Sequence, residues 1–395
     1  MSAVDTAVST EEVLAAIDEI GPLIAEQASQ GEIDRRVTDT VLNALRETGA
    51  LETFIPGRFG GADRSVADFL RICRQVALYD GGTSWVVTLA SLGNWMSTFY
   101  PAEVQDAIRG EKPLAAVSAV VAPSATVERV DGGFRVSGKW FYNSAGWFSD
   151  AAILGVPLVG ENGELEDHGL ILVPREQYRI EDTWFTSGMR ASASNCVVIE
   201  DLIVPEDRYV SFPGVIAGDF PGARVSEMHH VTRADPLALF ALGLIGPVLG
   251  LGSAALEYVK GHMSKRIVLT TRERRESATH ISELARATTL VDTAHLHAFR
   301  AAEILDLAAR EERLLTALES GQVRADTGWV ADCVVEAIDI LLNVNGAGSF
   351  SESSPLQRMW RDANIAARHG AVTSIQGWET YGKALVDPDG PVNPF

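Results

Sequence analysis

Cysteine is scarce in this sequence. Cys73, Cys196 and Cys333 are the only three in 395 residues and show no CxxC or Cys/His ligand spacing, which argues against a disulfide framework or a zinc site and points to a reduced, cytoplasmic protein. Basic charge is also short, with 33 Lys and Arg against 53 Asp and Glu and a formal charge of −20. That field repels a phosphate backbone, so nucleic acid is not expected as a partner. No run of about 18 uncharged apolar residues reads as lipid-facing. The closest, residues 236–255, is rich in Gly and Ala and suits a buried helix, and the N-terminal stretch has no basic n-region, so neither membrane insertion nor export is expected. Internal repeats and low-complexity tracts are missing too. What is present, 46% hydrophobic and 22% charged residues, is the composition of an ordinary soluble globular protein with material for two or three domains.

Apolar residues recur at helical spacing over 11–30, 37–49, 65–76, 83–99 and 101–109, so residues 1–113 are expected to form an N-terminal helical domain. From residue 114 to 220 the texture changes to short β-rich runs at 126–130, 134–142, 151–159, 170–173 and 196–203, with turns at Asp131-Gly132-Gly133 and Glu161-Asn162-Gly163. This spacing predicts an antiparallel sandwich or barrel. Residues 210–234 read as a long connection placed to cover a site. Helical texture returns for residues 221–395, with helices predicted at 236–260, 281–318, 327–344 and 355–385 completing a bundle of about four. The apolar seam from Ile281 to Ala309 needs a partner, inside the chain or in another subunit. GxGxxA at 250–255 follows a helical run, not a strand, so it reads as small-residue helix packing and not as a dinucleotide fingerprint. His229-His230 and the His295/His297 pair lack a carboxylate cluster at ligand spacing, and no metal site is expected.

Three strings carry a resemblance: GKWFYNSAG at 138–146, GMRASASNCVVIEDLIVP at 188–205 and NGAGSFSESSPLQRMWRDANIAARHG at 345–370. In this order and spacing the chain resembles the acyl-CoA dehydrogenase fold from about residue 10 to 386, a mostly α fold with a central β-domain. Dehydrogenases of that fold need a carboxylate base, but the two slots where it would fall hold Gly370 and Leu239, neither of which can take a proton. The RDxxxAxxH pattern ending at His369 is instead similar to the two-component flavin-dependent monooxygenases, hydroxylases built on the same fold. The resemblance implies reduced FMN or FAD supplied by a separate reductase, O2 as co-substrate, a C4a-hydroperoxyflavin, and hydroxylation of an aromatic or polyketide-like small molecule.

Residue by residue, the resemblance puts Trp140, Asn143 and Ser144 at the flavin ring, with the Ser144 hydroxyl on N5. Ser192 and Ser194 fall in the second flavin-side string, where Ala191 and Ala193 replace glycines of relatives. Arg266 would reach the flavin phosphate, often across a subunit boundary. His369 would accept the proton of a substrate phenol or hold its hydroxyl, and Asn94 and Trp95 would touch substrate. Arg358 and Arg361 read either as phosphate contacts or as a structural ion-pair motif. Relatives of the fold are mostly homotetramers, and the same is expected here. Three other readings stay open: N-oxygenation of an amine such as an amino sugar, an FAD-dependent acyl-CoA dehydrogenase with an unrecognised base, and a non-catalytic homologue.

Overall fold

The computed structural model describes residues 8–62, 64–160, 162–225 and 230–390. Five helices come first: α1 (Thr10–Asp34), α2 (Asp39–Thr48), α3 (Val66–Ala77), α4 (Gly81–Ser97) and α5 (Ala102–Arg109). The side chains of Ser9, Thr38, Ser65 and Asp80 each accept a backbone N–H from the first turn of α1 to α4, and a cap of this kind contributes about 1 kcal/mol. α4 is buried along its whole length, as expected of a helix with no polar stripe.

Eight strands follow: β1 (Val117–Val120), β2 (Ala125–Val130), β3 (Gly133–Asn143), β4 (Ala151–Val159), β5 (Leu165–Pro174), β6 (Arg179–Glu181), β7 (Asn195–Pro205) and β8 (Tyr209–Ser211). They make two four-stranded sheets, ordered β1-β4-β5-β8 and β2-β3-β7-β6. Phe134, Val136 and Trp140 from one sheet share a core with Leu154 and Ile171 from the other. The expected sandwich is present, with one correction: β1 pairs with β4 in parallel. Its four residues are too few for a period-2 signal, and α4 crosses directly over it. A Cβ on Gly93 would lie 1.9 Å from the Val117 carbonyl oxygen, so only glycine permits that crossing.

The remaining helices are α6 (Phe212–Ile216), α7 (Pro236–Gly243), α8 (Ile245–Lys260), α9 (Ala278–Arg310), α10 (Ala317–Asn345), α11 (Pro355–Ala366) and α12 (Ser374–Val386). Four expected helices are each interrupted or re-bounded. The predicted helix at 236–260 breaks at Leu244, because Pro247 has no N–H for the Gly243 carbonyl and its ring crowds that oxygen. Pro236–Lys260 has the length and composition of a membrane span, yet 83% of its most apolar window is buried inside the protein. The predicted helix at 281–318 stops at Arg310, and α10 begins earlier than expected on a capping box between Thr316 and Glu319. The predicted helix at 355–385 divides into α11 and α12 around a turn that carries His369. The seam of α9, through Val291, Ala294, Ala298, Ala302 and Leu305, is buried within this chain, in the helical core that it shares with Val330 and Val334 of α10.

Candidate functional site

β3 ends in a turn that delivers Ser144 beside the loop leading into β7. The Ser144 Oγ lies 2.6 Å from the Ser194 Oγ, which lies 2.7 Å from the Ser192 Oγ. From the other side the Trp85 indole N–H, on α4, donates to the Ser144 Oγ at 3.1 Å. The three serines predicted from the two strings are thus brought into one buried hydroxyl chain, closed at one end by a tryptophan that the sequence reading passed over as helical core. Both loops are held in unusual backbone geometry. Of the eight described non-glycine residues with positive φ, four bracket this chain: Tyr142, Ala145, Met189 and Ala193. Left-handed backbone at residues with a Cβ is a form of strain that collects at functional sites. Ala193 adopts φ +47° without a glycine. Ala191 packs so closely on α4 that a Cβ on Gly82 would lie 2.9 Å from its own. Asp362 on α11 anchors the loop, accepting the Met189 backbone N–H at 2.5 Å. Burial, together with the nearby Asp80 and Glu32 carboxylates, pushes the Asp362 carboxyl up to about 7.

Next to Ser144, Asn143 is 2% exposed, and neither atom of its amide has a hydrogen-bond partner among the described residues. The Trp147 indole N–H is likewise unpartnered. Buried polar groups are ordinarily paired. An amide that needs both a donor and an acceptor, beside a serine hydroxyl, fits the edge of a flavin ring, which offers both, so the residues present suit that cofactor. Trp140 requires a correction. It is fully buried between the two sheets, and its N–H donates to the Gly155 carbonyl at 2.7 Å, so no face of its indole is left for a flavin ring.

His369 lies in the turn between α11 and α12, not on the long helix that the periodicity suggested, and it lines a cavity of about 510 Å³. Its ring centroid is 6.0 Å from that of Trp85 and 6.1 Å from that of Phe240, so Trp85 touches both the serine chain and the histidine. Burial pushes the His369 imidazole down to about 4, which keeps it neutral at physiological pH. The Ala371 backbone N–H donates to its Nδ1 at 3.2 Å. A neutral ring with Nδ1 accepting carries its proton on Nε2, and Nε2 has no hydrogen-bond partner among the described residues. The cavity walls are largely aromatic and aliphatic, including Trp95, Phe99, Phe212 and Phe240. Phe212 belongs to the connection expected to cover a site, and that connection does form part of the wall; His229 lies outside the described residues.

Trp95 lines the cavity, with its N–H donating to the Val231 carbonyl at 2.9 Å. Asn94 does not. Its amide is consumed inside the fold, donating to the Leu51 carbonyl and accepting from the Arg109 guanidinium and the Val117 N–H, so its assignment to substrate is corrected to a structural one. Arg266 is exposed on a hairpin bridged to Glu273 and lines none of the described cavities. Arg358 and Arg361 make the ion-pair reading good: Arg361 pairs with Glu32 at 2.8 Å and Arg358 approaches Asp80 at 3.6 Å, tying α11 to α1 and α4. His295 and His297 bond to Arg74 and Asp326. The two dehydrogenase base slots stay empty of carboxylate, Leu239 in the core and Gly370 on the cavity wall. Three polar residues on that wall carried no sequence signal: His168, Arg324 and Gln376.

A family model described as acyl-CoA dehydrogenase, C-terminal domain, matches residues 242–374. The oxygenase subunit HsaA of a flavin-dependent monooxygenase from Rhodococcus jostii (strain RHA1) is 30% identical over 373 residues, which cover 93% of this chain and 96% of that protein. The oxygenase component of an FADH2-dependent resorcinol hydroxylase from Rhizobium sp. (strain MTP-10005) is 29% identical, over 93% and 91% of the two chains. The solved structure of XiaF from Streptomyces sp., in complex with FADH2 and glycerol, superposes with a TM-score of 0.90 at 32% identity and covers 97% of this chain and 98% of that one. With a strained hydroxyl chain beside a neutral histidine, no carboxylate base, and relatives matched over nearly their full length, the chain belongs to the oxygenase components of two-component flavin-dependent monooxygenases.

Proposed function

We propose that this oxygenase component hydroxylates an aromatic ring that carries an ionisable hydroxyl, with His369 holding that oxygen and Ser144 facing the flavin ring. The observation that carries the reading is the tautomer of His369. With Nδ1 occupied by the Ala371 N–H and Nε2 free to donate, the ring gives a hydrogen bond to a hydroxyl or phenolate oxygen instead of taking its proton. Donation favours the anionic form, whose ring is more electron-rich than that of the neutral phenol and attacks an electrophilic oxygen faster. Reduced flavin, delivered by the reductase, supplies the activation of O2 when bound. Trp85 fixes the Ser144 oxygen as an acceptor; when the serine chain runs from Ser192 through Ser194 to Ser144, the Ser144 O–H is left to donate toward flavin N5. The Asn143 amide is placed for the same ring edge, and the aromatic walls exclude water.

FADH2 is the favoured flavin, supported by the FADH2-dependent relative and by FADH2 in XiaF. A homotetramer in the cytoplasm completes the reading. Exposed apolar side chains on the outer faces of α9 and α12, among them Leu296, Ile375 and Trp378, support burial against further copies.

The test is rapid mixing of the protein and anaerobically reduced FMN, then FADH2, with oxygenated buffer, following the spectrum. A transient species distinct from both reduced and oxidised flavin, longer-lived with FADH2, is expected. Direct reoxidation with either flavin refutes the reading. Light scattering tests the tetramer, and a monomer mass at micromolar concentration refutes it.

A further inference from the structure

Arg324 projects from α10 onto the wall of the same cavity and is 8% exposed. Among the described residues its Nε has no hydrogen-bond partner, and its one side-chain bond, to the Gln376 Oε1, is stretched to 3.5 Å. The compensating charge it feels is that of Asp235, which attracts it electrostatically. Asp235 is engaged elsewhere, capping α7 through the Ala238 N–H at 2.9 Å. A buried guanidinium left without a carboxylate has given up hydration that no partner restores. Its planar fork of N–H donors matches a carboxylate in two-point fashion. The rest of the wall is apolar, apart from His369, His168 and Gln376, so little in the protein competes for that fork.

We propose that Arg324, with Gln376 beside it, forms an anion subsite, and that the substrate is an aromatic acid whose carboxylate docks on Arg324 while its ring hydroxyl meets His369. The inference rests on the cavity being the substrate site. It adds a charged recognition point to the hydroxyl contact already assigned, and the cavity volume, inside the usual range for small-molecule sites, leaves room for more than one ring.

The experiment reads binding alone, without flavin or oxygen, so that it stands apart from the test of monooxygenase chemistry. Pairs of one-, two- and three-ring phenolic probes, each as the carboxylic acid and as its neutral carboxamide, are titrated against the intact protein by calorimetry. At least one acid is expected to bind about tenfold or more tighter than its amide, the size of one charge-assisted hydrogen bond. Arg324→Gln should abolish that preference while leaving the amide's affinity in place. Should that variant not fold, Arg324→Lys keeps the charge without the fork and should reduce the preference. An acid preference missing from every pair, or one that survives Arg324→Gln unchanged, overturns the proposal. Binding that holds while no flavin transient forms would instead count against the monooxygenase reading and leave the subsite standing.

Discussion

On the strand side of the site, Ser144, Ser192, Ser194 and Trp85 hydrogen-bond one another at 2.6 to 3.1 Å. On the helix side, His369 Nε2 and Arg324 Nε have no hydrogen-bond partner among the described residues. The three hydroxyls pair with one another before any ligand arrives, with the neighbouring Asn143 amide left open, and their strained backbone is held from behind by Asp362. The helix side has donors in reserve. A wall that satisfies itself is suited to orienting one hydroxyl, the same way in every turnover. Unpaired donors suit a wall that must discriminate, because a molecule lacking the matching acceptor leaves them unpaired.

Breaking the helix-side wall should have the largest effect. His369→Ala is expected to lower product formation by about 100-fold or more while leaving the flavin transient visible, as measured by product yield per flavin oxidised; full yield would remove His369 from the chemistry. The support behind the strand-side wall comes next. Asp362 holds its proton more tightly when folded, so its contribution to stability is fully present below about pH 4 and is lost as pH rises through about 7. Asp362→Asn should therefore gain relative to the parent between pH 4 and 8, by on the order of 3 kcal/mol, in urea unfolding; a constant difference across that range would show that Asp362 is not raised.

Smaller effects sharpen the contrast. Ser144→Ala should shorten the lifetime of the flavin transient by about tenfold, and Trp85→Phe, which removes the N–H together with part of the ring, by a smaller factor in the same direction. Equal lifetimes in all three proteins would separate the hydroxyl chain from the flavin. The smallest effect concerns charge state alone. The His369 ring signals in an NMR titration should stay fixed from pH 8 to 5, since burial holds its protonation down to about pH 4; a midpoint near the usual value would make the ring solvent-exposed.

The start of α3 was legible because Ser65, with Asp68 three residues on, leaves a local capping signature, whereas the Asp80 cap went unread and α4 begins two residues ahead of the expected 83. The serines and His369 were found because they sit in contiguous strings. Three kinds of feature were not legible. The turn carrying His369 was hidden because apolar periodicity continues across it from α11 into α12. β1 was hidden because it is short and takes its neighbours from α4 and β4. Arg324, His168 and Trp85 were hidden because what matters about each is the partner it has or lacks across the fold, and neither can be read from sequence neighbours. Asn94 failed for the converse reason: its place in the chain suggested the substrate, but Arg109, Val117 and Leu51 fill its hydrogen-bonding capacity from elsewhere.

The split between the two walls has an evolutionary reading. The hydroxyl chain is carried by strand ends and a loop, locked by Ala191 against Gly82 of α4 and by Asp362 of α11 against Met189, so a change there disturbs several elements at once. Arg324 and Gln376 lie on the separate helices α10 and α12 and bond to each other only weakly. Drift at those two positions can therefore retarget the enzyme to a different acceptor molecule while the oxygen-handling half is inherited intact.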